Sequence, residues 1–200
     1  MIIQPNSSDL LKTTAFHEAG HAAIFHLLGN DIGQVYIREN GSGSVESLRI
    51  RPHQVCLLIN KYDPVEVLNR YGLECLSGPV AEMKFLKRRI HGPFIPVASN
   101  SKDGDVECFY SEMDNYATHL KIELNQHKTT WNVQQTIIQI FKSKRIWNAV
   151  KTLANELCSQ KDYQLDGDDV HYILEKNIPW GRWQGTGFGL PMSAIETSFD

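Results

Sequence analysis

The sequence lacks any long uninterrupted run of hydrophobic residues. A helix needs about 20 consecutive apolar residues to cross a bilayer, and no such run occurs in this chain of 200 residues. The first residues, MIIQPNSSD, also lack the basic and then apolar pattern of a secretory signal peptide. We therefore expect no membrane partner and a cytoplasmic location.

An excess of charge of one sign is absent as well. The formal net charge is −3 at pH 7, and acidic and basic residues are mixed along the chain. Without a basic field we expect no nucleic-acid partner. The densest basic segment is KFLKRR, residues 84–89. We interpret it as a solvated helix end, where cations interact favourably with the helix dipole, in preference to a binding patch.

Cysteine is scarce and unpaired in pattern. The sequence has four cysteines, none of them in a C-x-x-C pair. This spacing argues against a cysteine-based zinc site and favours a reduced, intracellular chain.

Hydrophobic periodicity predicts an α+β fold that is mainly α-helical, with a small β-hairpin sheet. The length is typical of one domain, which we assign to residues 1–178, followed by a tail at 179–200 that contains glycine and tryptophan. The predicted helices cover residues 10–28, 63–88, 103–125, 130–159 and 166–176, and the predicted strands cover 35–37, 45–50 and 55–59.

The first predicted helix contains the segment TTAFHEAGHAAIFHLL, in which His17-Glu18-Ala19-Gly20-His21 fits H-E-x-x-H. Residues four apart lie on one face of a helix, so two imidazoles at this spacing can bind one zinc ion. The glutamate beside the first histidine can then act as general base on a zinc-bound water. The motif therefore predicts zinc-dependent hydrolysis, with Glu18 as the catalytic residue.

The alternative interpretation is a core helix that contains two half-buried histidines. Ala19 and Gly20 favour the metal site, because small residues let another element pack closely beside it. His26 lies off the face shared by His17 and His21, and we expect it to be an ordinary surface or half-buried histidine.

A catalytic zinc needs a third protein ligand. The extended motif H-E-x-x-H-x-x-G-x-x-H does not continue here, because Ile24 and Leu27 stand where glycine and histidine are required. The third ligand must therefore be a distant acidic residue, and the spacing alone does not decide among the candidates. These are Glu82, Asp103, Asp105 and Glu107.

The segment AFHEAGHA, residues 15–22, resembles the A-Y-H-E-A-G-H-A signature of the FtsH-type zinc metallopeptidases. Three weaker segments follow in the same order as in that family. LSGPVAE at 76–82 is similar to L-x-G-G-R-x-A-E, GDVE at 104–107 to the N-D-L segment, and residues 147–170 to the closing helices. The resemblance covers about residues 10 to 176.

This resemblance implies a zincin-like peptidase domain with zinc as cofactor. It places the zinc ligands at His17, His21 and Asp105 and the general base at Glu18, with Asp103 as an alternative ligand. Glu82 is implied as a carboxylate that orients a ligand histidine through its other ring nitrogen. The hairpin at 35–50 falls where the family presents a strand edge to an extended substrate.

The sequence also departs from the family. Gly78-Pro79 stands where the family has G-G-R, and no G-x-x-x-x-G-K-S/T motif for an ATPase occurs. We therefore expect a stand-alone, ATP-independent endopeptidase without the AAA+ ATPase module, acting on unfolded or flexible polypeptide. The alternative is a metal-binding regulatory or protein-interaction module with little activity. A homo-oligomer and a separate unfoldase remain open as partners.

Overall fold

The computed structural model describes residues 7–47, 64–96 and 104–180. The strand predicted at 55–59, the alternative ligand Asp103 and the tail from residue 181 lie outside the described residues, so the domain boundary at 178 stays a prediction. The elements, in chain order, are α1 (Ser7–Leu28), β1 (Ile32–Ile37), β2 (Gly43–Ser47), α2 (Pro64–Phe85), α3 (Asp105–Leu120), α4 (Gln126–Lys142), α5 (Lys144–Ser159), β3 (Gln164–Asp166) and α6 (Gly167–Glu175).

Helix α1 runs through the centre of the molecule. From Thr14 to Leu28 every residue is buried except the half-buried His17. A helix that is apolar on all sides must be surrounded by other elements, and α1 packs mainly against α2 and α5. Gly29 ends it at a φ of 71°, and the N–H of Asn30 bonds the carbonyl of Phe25 at 2.9 Å. The predicted stop is therefore confirmed.

The three strands form one antiparallel sheet in the order β2-β1-β3. Val35 in the central strand pairs with Val45 of β2 and with Leu165 of β3. All three side chains are buried, so they attach one face of the sheet to the core. The predicted hairpin is present, and Gly41 in its turn has a φ of 81°, a backbone conformation that favours glycine.

The predicted elements differ from the structure in three respects. Helix α3 ends at Leu120 rather than near Asn125, because Asn125 instead caps α4 by accepting the Lys128 N–H at 3.0 Å. The single helix predicted over 130–159 is two helices, separated at Ser143 by a ψ of 121°. Strand β3 was not predicted, because three residues are too short to show an alternating pattern.

The described residues confirm the predicted class: a mainly α-helical α+β fold with a small antiparallel sheet. Helix α2 continues through Pro79 as one element. No helix in the described ranges has both the length and the apolar character required to cross a membrane.

Candidate metal centre

Three side chains from two helices converge on one point. His17 Nε2 lies 2.9 Å from Asp105 Oδ2, His21 Nε2 lies 3.1 Å from the same oxygen, and the two Nε2 atoms are 3.2 Å apart. The histidines belong to α1, whereas Asp105 is the first residue of α3. Among the described residues this is the one group of three such side chains that could hold a metal ion.

The spacing of these three atoms fits a tetrahedral metal ion. Ligand atoms at 2.0–2.1 Å from such an ion lie about 3.3 Å apart, close to the separations of 2.9, 3.1 and 3.2 Å. The two imidazole nitrogens face each other at 3.2 Å, and only a proton or a metal ion fits between them. His17, His21 and Asp105 therefore suit a metal ion as a set.

Close packing of α1 against α2 fixes the position of the histidines. A Cβ atom at Gly20 would lie 2.5 Å from Ala81 Cβ, and one at Gly78 would lie 2.2 Å from His21 Nε2 and 2.6 Å from His17 Nε2. The two helices can approach this closely only because these positions carry no side chain. The expectation that Gly20 permits close packing beside the site is confirmed.

Helix α2 also orients His21. The Nδ1 atom of His21 lies 2.7 Å from the carbonyl oxygen of Glu74. A carbonyl only accepts, so Nδ1–H is the donor and Nε2 is the nitrogen that faces Asp105 and His17. Ser77 Oγ lies 3.2 Å from the same Nδ1. Orientation of a ligand histidine through its other nitrogen is typical of metal centres.

Glu82 plays the corresponding part for His17, with its Oε2 3.2 Å from His17 Nδ1. Burial opposes a positive charge on His17, but the hydrogen bonds that it donates to Asp105 and then to Glu82 outweigh this effect and raise its pKa to about 10. Burial would likewise raise the pKa of Asp105, yet His21 and His17 hold it well below its ordinary value. The two carboxylates, Asp105 and Glu82, therefore favour a positive charge on the His17 ring that lies between them.

Glu18 and the β-hairpin form the wall of a cleft beside the three ligands. The cleft has a volume of about 620 Å³, and His17, Glu82 and Asp105 line it together with residues 41–45. Glu18 is 6 % exposed, and its carboxylate lies against Gly43, where a Cβ atom would come within 2.6 Å of Oε1. Gly43, the first residue of β2, has no side chain and thus leaves space for the Glu18 carboxylate.

The remaining candidate ligand among the described residues, Glu107, lies elsewhere. Its carboxylate is turned towards Gly104 at the start of α3, where a Cβ atom would come within 2.1 Å of Oε2. It is not part of the group formed by His17, His21 and Asp105.

Sequence reasoning missed the groups that fix α2 beside the end of α1. Glu74 is buried, and its Oε1 accepts the Asn30 side-chain N–H at 2.7 Å. Arg70 also donates to Glu74, at 3.4 Å, and to the Leu28 carbonyl, at 3.0 Å. The Glu74 carbonyl that orients His21 belongs to the backbone, so no residue type signals it. The sequence indicates only the pair of Arg70 and Glu74, because they lie four residues apart in a predicted helix.

The interpretation of His26 was wrong. Its side chain is completely buried, with Nδ1 2.8 Å from His171 Nδ1 and Nε2 2.8 Å from the carbonyl oxygen of Ile178. Both partners are more than 140 residues away in sequence, so the local pattern around His26 contains no sign of them.

Comparison with protein-family models and with curated proteins finds no match to this chain.

Proposed function

We propose that this protein is a zinc-dependent endopeptidase of the FtsH type, acting without ATP on unfolded or flexible polypeptide. The observation that carries the proposal is the convergence of His17 Nε2, His21 Nε2 and Asp105 Oδ2 within 3.2 Å of one another. Two nitrogens and one carboxylate oxygen are a donor set that zinc prefers, and three protein ligands are the number found in catalytic zinc sites. The zincin-like assignment of the fold belongs to this proposal.

A bound zinc ion would supply Lewis acidity, which lowers the pKa of a coordinated water and polarises a carbonyl. The protein's own contribution is to orient the ligands: Glu74 fixes His21 through its carbonyl, and Glu82 fixes His17. Hydrogen bonds of this kind to the other ring nitrogen fix the orientation of each imidazole.

Glu18 is the proposed general base. It adjoins His17 in the H-E-x-x-H motif and lines the same cleft as the three ligands. Its carboxylate would take a proton from the attacking water and return it to the nitrogen of the leaving amine. Its burial against Gly43 leaves the carboxylate few rotamers, so it is held in place for the transfer.

The cleft suits an extended polypeptide. Within the described residues β2 is an edge strand, paired only with β1, and its residues Gly43, Ser44 and Val45 line the cleft. A substrate strand can add to such an edge through backbone hydrogen bonds, which require an unfolded segment and little sequence preference. We therefore propose unfolded polypeptide as the substrate class.

The substitution Glu18→Gln tests this mechanism. It removes the base but no metal ligand, so we expect zinc to stay bound and cleavage of casein to fall by about 10²- to 10⁴-fold. Glu123→Gln is the matched control, because Glu123 is exposed outside the cleft. Zinc content by elemental analysis and casein cleavage with and without a chelator are the measurements.

Two results would contradict the proposal. If Glu18→Gln cleaved as fast as the parent chain, Glu18 would not be the base. If the parent chain bound zinc but showed no chelator-sensitive cleavage of any disordered substrate, the alternative of a metal-binding regulatory or interaction module would replace the peptidase.

A further inference from the structure

A second cavity lies on the other side of α2 from the metal centre. Val80 and Lys84, which line it, each follow a residue of the metal centre, Gly78 or Glu82, by two positions. Two positions correspond to a rotation of about 200° around a helix, so the cavity opens on the opposite face. It has a volume of about 680 Å³, a size that is typical of small-molecule sites.

The cavity carries a concentration of positive charge. Five lysine and arginine side chains line it, and none of its described lining residues is acidic. None of the ion pairs found among the described residues involves these five side chains. The end of α2 contributes only about half a negative charge through its dipole, far less than the five cations. These are Lys84, Lys87, Arg88, Arg89 and Lys142.

Lys84 lies close enough to Lys142 for their charges to interact. Its ammonium donates to the carbonyl of Phe141 and lies 4.6 Å from the centroid of the Trp147 ring. Burial, and then the charge of Lys142, lower its pKa. An anion between these two ammonium groups would relieve their repulsion, because opposite charges favour the charged form.

The inner wall of the same cavity is apolar. Val80 and Phe141 line it and are almost fully buried, and the half-buried Ile138 of α4 also lines it. Trp131, about two helical turns before Ile138 on α4, is half-buried and also lines the cavity. A ligand that fills this space must therefore combine an apolar body with an anionic group.

We propose that this cavity binds an anionic amphiphile. Its phosphate or carboxylate head would lie among the lysines and arginines, and its hydrocarbon body would lie against Trp131 and Ile138. The segment KFLKRR is thus a ligand-binding segment as well as a helix end. The proposal is independent of the peptidase, because the cavity shares no lining residue with the catalytic cleft.

Calorimetric titration of the full chain with dodecyl phosphate and with dodecanoate, both below their micellar concentrations, tests this site. We expect saturable binding that weakens as salt is raised, because salt screens exposed charges. Two controls should show no saturable binding. Dodecyltrimethylammonium has the same tail and the opposite charge, and inorganic phosphate has no tail. Saturable binding of either control would overturn the proposal. A failure of both amphiphiles to bind saturably would overturn it as well.

A pair of charge-reversal variants locates the binding. Arg88→Glu/Arg89→Glu should weaken binding by about tenfold or more, whereas Lys151→Glu/Lys161→Glu, equal in charge change but outside the cavity, should leave it unchanged. Equal affinities of both variants for dodecyl phosphate would contradict the assignment. Ile138→Ser tests the apolar wall without a change of charge. We expect it to bind dodecyl phosphate more weakly than the parent chain, with the same dependence of affinity on salt.

The anionic amphiphile can be part of a bilayer surface or a free molecule. Vesicles that contain phosphatidic acid distinguish these two sources. Sedimentation with vesicles that is lost in Arg88→Glu/Arg89→Glu would identify a bilayer surface as the source. Saturable binding of dodecyl phosphate without vesicle sedimentation would identify a free amphiphile.

Discussion

At the scale of single residues, α2 passes close to the two candidate ligand histidines at a position that has no side chain. A Cβ atom at Gly78 would lie 2.2 Å from His21 Nε2 and 2.6 Å from His17 Nε2. The candidate metal centre therefore depends on the absence of a side chain at Gly78 as much as on His17, His21 and Asp105. This contact lies in the L-S-G-P segment, so a glycine there has a steric reason that the sequence alone does not reveal.

We expect Gly78→Ala to impair the site. The added methyl group must displace one of the histidines or separate α1 from α2, which should cost about 1–3 kcal/mol of stability and lower the affinity for zinc. Gly92→Ala is the matched control, because a Cβ atom at Gly92 would meet nothing within 4 Å. Thermal unfolding and zinc titration measure the two effects. Parent-like zinc affinity in Gly78→Ala would contradict the steric argument.

At the scale of elements, a chain of hydrogen bonds through two histidines connects α1, α6 and β1. His26 Nε2–H donates to the carbonyl of Ile178, so its Nδ1 must accept from Nδ1–H of His171. His171 Nε2 is then free of hydrogen and accepts the N–H of Ile32, at 3.4 Å. One arrangement of protons satisfies every member, and it requires both imidazoles to be neutral.

This chain predicts a specific pH dependence of stability. Burial lowers the pKa of His26 below its ordinary value of 6.5. Because the unfolded chain takes up the proton first, the contribution of His26 is complete above about 6.5 and is lost as the pH falls. His26→Gln should reduce the free energy of unfolding by about 1–3 kcal/mol near pH 7.5, and this difference should shrink towards pH 5.

Urea unfolding of the parent and variant chains between about pH 5 and about pH 7.5 is the measurement. His119→Gln is the control, because His119 is exposed on α3 and its substitution should produce no such pH-dependent difference. A His26→Gln difference that stayed constant over this range would show that His26 does not titrate as described.

The elements that local chemistry determines were predictable, and those that depend on distant partners were not. The Asp166 side chain caps α6 by accepting the Asp169 N–H at 2.9 Å, and the predicted start at Asp166 follows from that preference. Strand β3 exists because β1 offers it a partner, and His26 is buried because His171 and Ile178 satisfy it. Such long-range pairings are not encoded in any local window of the sequence.

The candidate site divides in the same way. The H-E-x-x-H spacing predicted that His17 and His21 share a helix face, and the structure places both beside Asp105. The residues alone could not choose among the acids, because Asp105 and Glu107 lie in the same turn of α3. Only the packing of α3 against α2 determines which carboxylate reaches the histidines.

At the scale of the whole molecule, the three ligands join the first helix to a helix that begins 84 residues after His21. A metal ion held between α1 and α3 binds the folded chain and not the unfolded one, so its binding free energy adds to stability. At a zinc concentration of 100 times the dissociation constant the gain is about 2.7 kcal/mol.

We therefore expect zinc to raise the free energy of unfolding of the parent chain and a chelator to reverse the effect. Asp105→Asn should lose most of this stabilisation, because a neutral amide is a poorer zinc ligand than a carboxylate. Glu107→Gln should keep it, because Glu107 lies outside the group of ligands. Urea unfolding with and without zinc is the measurement, and equal stabilisation of both variants would exclude Asp105 as a ligand.

Strand β2 also bears on how the molecule avoids aggregation. An open strand edge is a template on which copies of a chain can join, and short length and exposed charge are the usual protections. Strand β2 has only five residues, GSVES, with one buried hydrophobic side chain, Val45, and an exposed Glu46. Such an edge gains little from pairing with itself. Within the described part of the chain, this edge can therefore stay open beside Glu18, where we propose that substrate binds, with little tendency for protein molecules to join edge to edge.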